Sequence, residues 1–292
     1  MLKSVARRGH VYAMSFDLHR DEESPGKIEL KGTRKTSVFN GFCKHHDSQL
    51  FAPIDHRAFV CTPEQIFLQT FRTVAMEAFN KRKQAENFPT LGELRNVHGV
   101  ECSYTEGAVE AMIMSMRAAE EIEAFKTRLD GLFLSTSFSS LETTIVEFNL
   151  LVPFVATFMH TPDVDFGGKH LQDLGDLAID AAQLVITVLP SPSGGSFLLL
   201  SHEDTTNSAP RRFVDSFCNQ VDISSSLTWL IACHTDNFAI SPDWYESLSD
   251  EDRAIHFDTI RRTADWTDPT CNSLYLQKLK APNWGVKRIF KL

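Results

Sequence analysis

Leu184-Val185-Ile186-Thr187-Val188-Leu189, then Pro190-Ser191-Pro192-Ser193-Gly194-Gly195, then Ser196-Phe197-Leu198-Leu199-Leu200-Ser201, is the stretch that decides the fold class. Two apolar, strand-length runs flank a loop of Pro, Ser and Gly, which is the signature of a β-hairpin. The six-residue connection is far shorter than the helical crossover that parallel strands need, so these two strands run antiparallel. Upstream, 141–151 and 152–159 are rich in Ile, Val, Thr and Phe, break near Pro153, and read as two more strands.

Helices are expected on both sides of this strand group. Thr62-Pro63-Glu64-Gln65 combines an N-cap hydroxyl, Pro at the first helical position and Gln three residues after the cap. An apolar stripe from Ile66 to Phe79 follows, and the helix is expected to run to about Glu86, ended by Asn87-Phe88-Pro89. A second long helix is expected from Ser103-Tyr104-Thr105-Glu106 to about residue 130, packed antiparallel on the first. After the hairpin, helix starts are read at Ser208, at Ser224 or Ser225, at Ser241 and at Ser249. Strands grouped between helix groups, rather than alternating with them, predict an α+β fold with a mostly antiparallel sheet. At the front of the chain, 10–16, 27–31 and 36–42 read as a small β-meander. The expected division is 1–61 as a small β-rich segment and 62–292 as the main body.

The bulk numbers bound the class. The chain has 292 residues, 42% hydrophobic and 23% charged, as a globular protein does. Phe is present 22 times against 4 Tyr and 4 Trp, which predicts a Phe-rich core. A net charge of −9 argues against binding that depends on neutralising phosphates, although basic pairs such as Arg7-Arg8 and Arg261-Arg262 exist. Six scattered cysteines are the pattern of reduced thiols. The first residues lack the apolar region of a secretory signal, and no apolar run is long enough to cross a membrane. A cytoplasmic protein without membrane contact is the expectation. Its partners would be another protein or copies of itself.

The densest chemistry lies in Gly41-Phe42-Cys43-Lys44-His45-His46-Asp47. Cys43 and His46, three apart at a strand-to-helix junction, can face one point, as half of a tetrahedral zinc site does. His56 and Cys61 would complete the set with zinc as its cofactor; the alternative is that Cys43 and His46 cap or pack the helix without metal. Asp47 could instead orient His46. Nearby, Arg72 and Glu77 on the same helix are expected to form an ion pair. Asp163 and Asp165 read as turn residues.

The stretch Gly41-Phe42-Cys43, His46-Asp47, Leu50-Phe51 resembles a motif of uncharacterised bacterial proteins related to HNH and treble-clef zinc proteins, with Gly9-His10-Val11-Tyr12 as the preceding strand. The resemblance covers about the first 80 residues. The upstream Cys pair of that family has no counterpart here. The resemblance implies a metal-dependent nuclease or hydrolase in which His10, His46 and Asp47 would be catalytic. The residues themselves favour a non-catalytic binding or assembly role, within a bacterial multi-component system. A small-ligand sensor is the third reading. No phosphate-binding loop or dinucleotide fingerprint is present.

Overall fold

The computed structural model describes residues 2–16, 26–36, 41–86, 106–176, 178–263 and 279–292. The expected turn over 21–25, the helix signals at 87–89 and 103–105, Cys102 and Cys271 lie outside them.

The hairpin reads as expected: β5 (Leu184–Pro190) pairs antiparallel with β6 (Ser196–Glu203), with Val185 opposite Ser201 and Pro190 opposite Ser196. Gly195 is required in its loop. A Cβ there would stand 2.0 Å from the Phe148 carbonyl oxygen. The upstream strands are β3 (Leu141–Phe148) and β4 (Phe154–His160), on the two outer sides of the hairpin. The 10–16 and 27–31 readings are β1 (His10–Phe16) and β2 (Gly26–Gly32). The expected third strand at 36–42 is not formed where the chain is described. Thr33–Lys35 is a 3-10 turn, and Thr36 buries its hydroxyl by donating to the Gly32 carbonyl.

Two further strands complete one sheet. β7 (Phe238–Ile240) lies between β1 and β4, and β8 (Val286–Lys291) lies outside β3. Among the described residues the sheet has eight strands in the order β2-β1-β7-β4-β5-β6-β3-β8, and every neighbouring pair is antiparallel. The fold is therefore α+β. The β1–β2 hairpin of the front segment is an edge of this same sheet through Tyr12 and Ile240.

Helices cover both faces. Along β3, β5 and β6, alternate residues enter two separate cores, as the pleat dictates. Val146, Ile186, Val188, Leu198 and Leu200 pack with α5 (Ala209–Cys218) and α6 (Ile223–His234). Ile145, Val185, Leu189 and Leu199 pack with α3 (Pro63–Glu86) and α4 (Glu106–Leu134). α3 and α4 run antiparallel, as expected: Phe71 meets Phe133 with ring centroids 5.7 Å apart, and Arg82 meets Glu123 at 2.5 Å farther along. A short helix α7 (Pro242–Ser247) and a longer α8 (Asp250–Thr263) follow β7.

The front of α3 carries a small departure from the capping pattern. Gln65 donates its backbone N–H to Thr62 Oγ1, as a capping box requires. Its side chain turns away from Thr62, however. Oε1 accepts from the Val60 N–H, and Nε2 donates to the Pro53 and Ala58 carbonyls. One buried amide thus ties the loop before α3 to the helix.

The residues 41–61 dock on α3 through aromatic rings. Phe71 lies 6.3 Å from Phe42, 6.4 Å from Phe51 and 6.1 Å from Phe67 by ring centroids. It is 4% exposed. Phe71→Ala leaves a cavity among four rings and is expected to cost about 3–5 kcal/mol. Chemical denaturation of wild type and variant measures it, and a loss below about 1 kcal/mol would show that the segment is held by other contacts.

Candidate functional site

Cys43 is the N-cap of α1 (Lys44–Leu50). Its Sγ accepts from the His46 N–H at 3.5 Å and lies 3.3 Å from His46 Nδ1. The pair therefore meets on one helical turn, and both residues are exposed. His56 caps α2 (Ala52–Asp55) at its C-terminal end and is also exposed. Cys61 is buried in the Phe-rich core beside Ile66 and Phe67, with a left-handed φ of 59°. Burial pushes its thiol up to about 12. Among the described residues, no three His, Cys, Asp or Glu side chains are gathered where they could hold a metal ion. The expected ligands Cys43, His46, His56 and Cys61 are not brought together as one set.

His10 lies in the tight turn Arg7–His10, where its Nδ1 meets the Arg8 carbonyl at 3.0 Å. Asp47 does not orient His46. It faces Arg72, with Oδ1 3.3 Å from Nη2. Arg72 also grips both carboxylate oxygens of Asp55 at 2.8 Å and stacks on the Phe51 ring at 4.2 Å. The expected Arg72–Glu77 ion pair is thus replaced by an Arg72–Asp47–Asp55 cluster, a bidentate geometry that Arg alone provides. Glu77 instead has its carboxyl pushed up to about 7, chiefly by burial. Asp163 and Asp165 are turn residues: Asp165 Oδ1 accepts from the Gly167 and Lys169 N–H groups at 2.8 and 2.9 Å.

Arg72 stands at the edge of a cleft of about 590 Å³ between α3, the α3-side face of β4 and β5, and the turns at Leu2–Lys3 and Thr33–Arg34. This volume is that of a small-molecule site. Its lining includes several polar side chains beside apolar ones such as Met76 and Val155. Thr73 Oγ1 meets Thr157 Oγ1 at 2.5 Å, and Thr157 Oγ1 meets Thr187 Oγ1 at 3.0 Å. Asn237 Nδ2 donates to the Thr157 carbonyl at 2.8 Å. Gln69, one turn before Thr73 on α3, is 4% exposed, and its Oε1 has no hydrogen-bond partner. The sequence reading passed over this cleft, although Thr157 and Thr187 are polar residues within otherwise apolar strands.

On the opposite face, His160 and His234 bring their ring centroids within 4.2 Å, among Phe213 and Trp229. Burial holds His160 well below the usual histidine range and His234 at about 4, and His234 Nε2 is buried without a partner.

Compared with known proteins, the chain matches no family model, no curated protein and no solved structure.

Two predictions follow from these clusters. Arg72→Met should cost about 1–2 kcal/mol in denaturant titration, because it removes charged hydrogen bonds but leaves Asp47 and Asp55 able to reach water. The histidine pair sets a pH dependence. Folded His234 stays neutral down to about pH 4, whereas the unfolded side chain takes up its proton near 6.5. Stability is therefore lost as pH falls through that window, by about 2 kcal/mol between pH 7 and pH 5 from His234 alone. His234→Phe should flatten the slope. A variant slope as steep as wild type would place the dependence elsewhere.

Proposed function

We propose that this chain is a small-molecule binding protein whose ligand occupies the cleft between α3 and the β4–β5 face. The observation that carries this reading is the cleft itself, about 590 Å³ and walled in part by polar side chains of α3 and of two strands, Gln69, Thr73, Thr157 and Thr187. The elements around the cleft support the same reading. The walls from α3 and the central strands are mostly buried, while the Leu2–Lys3 and Thr33–Arg34 turns form a more exposed rim.

The test is a thermal-shift screen of the full chain against a metabolite library, repeated on Met76→Trp. Met76 lines the cleft, and an indole there would fill it. A true ligand at a hundredfold its Kd should raise Tm by about 5 °C in wild type. The shift should vanish in Met76→Trp. Hits that stabilise both proteins equally, or a screen with none, would reject the cleft as a binding site.

A further inference from the structure

We infer that His160 and His234 form an acid-sensitive clasp behind one wall of the cleft, so that the site opens at its Asn237 end and releases its ligand as the medium acidifies. The release rests on the cleft being a binding site; the opening does not. The clasp is built across β4, whose alternate side chains point to opposite faces. Thr157 lines the cleft. His160 points to the other face, where its ring centroid lies 4.8 Å from Phe213 of α5 and 4.2 Å from His234. His234 is the last residue of α6, and Thr235-Asp236-Asn237 leads from it to the cleft. There Asn237 Nδ2 donates to the Thr157 carbonyl at 2.8 Å, and the Asn237 N–H donates to Thr235 Oγ1 at 2.9 Å. β7 begins at the next residue and pairs with β4 from Phe238 opposite Ala156 to Ile240 opposite Phe154. Three residues thus join the imidazole pair to a wall of the cleft.

The pair has no place for a proton. His234 Nε2 is buried without a partner, and so is Nε1 of Trp229, whose ring lies 5.2 Å from that of His234. A charge on either imidazole would be buried against the other with no acceptor for its proton. Among the described residues, the carboxylate that faces His234 is Asp163, whose Oδ1 accepts from the Val164 N–H at 2.9 Å. His160 is held in place: it is 7% exposed and stands opposite Leu184 in the β4–β5 ladder. His234 is the ring that can leave. It is half-buried, ends its helix and is followed by an extended residue. Its exit to water draws Thr235 to Asn237 with it and takes Asn237 off the Thr157 carbonyl. On the cleft side one titration opposes this. Asp236 faces Glu77 of α3, with Lys81 one turn farther on, and burial pushes the Glu77 carboxyl up to about 7. Below that pH Glu77 becomes neutral and its repulsion of Asp236 is relieved.

Amide hydrogen exchange of the free full chain at pH 7 and pH 5, read as protection factors, tests the clasp. Glu77→Gln serves as the parent protein, so that the opposing carboxyl is absent. His234 at about 4 when closed, against about 6.5 when it reaches water, predicts that the amides of 235–240 lose protection about twentyfold at pH 5. The amides of β5 and β6 should keep theirs. Adding His234→Phe, which retains a ring in the aromatic cluster but takes up no proton, should abolish the loss. An equal loss in β5 and β6 would mean that acid loosens the whole fold, and would overturn the clasp. Full protection of 235–240 at pH 5 would overturn it too, as would a loss that His234→Phe leaves unchanged. A negative metabolite screen would overturn the release of a ligand and not the opening.

Discussion

The constraint on which the molecule depends is that one antiparallel sheet is buried on both of its faces. Antiparallel sheets commonly leave one face to water and alternate apolar with polar residues. Here Leu184 to Leu189 is buried at every position, and so is Thr143 to Phe148. Each polar side chain in such a strand must find its partner inside the protein. Thr143 donates to Ser201 Oγ on the neighbouring strand. Glu147, 3% exposed, is met by Lys287 at 2.8 Å and Arg288 at 2.6 Å, both from β8. Thr187 meets Thr157 on the neighbouring strand, and Thr157 also meets Thr73 of the helix above them. The polar exceptions thus mark where the sheet is joined to something else: a neighbouring strand, the edge strand, or the wall of the cleft.

Much of this architecture was legible in the chain. The β5–β6 hairpin had both apolar runs and a Gly-Gly loop, and α3 announced itself through Thr62, Pro63 and Gln65. Local signals of this kind depend on neighbours a few residues away, and they survive folding unchanged. β7 and β8 were missed for physical reasons. Phe238–Ile240 is only three residues long, too short for any periodicity. Val286–Lys291 is half Lys and Arg, and becomes a strand because Glu147 and the open side of β3 await it. Its charge is what an edge strand carries to discourage further pairing.

The chemical reading fared differently. Cys43, His46 and Asp47 looked like a site because they are close in sequence; Cys43 and His46 do meet on one turn, but Asp47 turns to Arg72 of α3. The cleft draws Gln69, Thr157, Thr187 and Asn237 from four separate parts of the chain, so no spacing rule could gather them. Its one sequence-level signal was the placement of two threonines on the same sheet face.

The edge formed by β1 and β2 has a consequence for synthesis. β1 takes its inner neighbour from β7, and Arg7 beside it pairs with Asp243, 236 positions away. The β1–β2 hairpin leaves the ribosome long before that neighbour exists. During translation the inner side of β1 therefore offers unpaired backbone groups to any strand nearby. The nascent chain should be most prone to self-association, and most in need of a chaperone, until residues 238–240 arrive to close the gap.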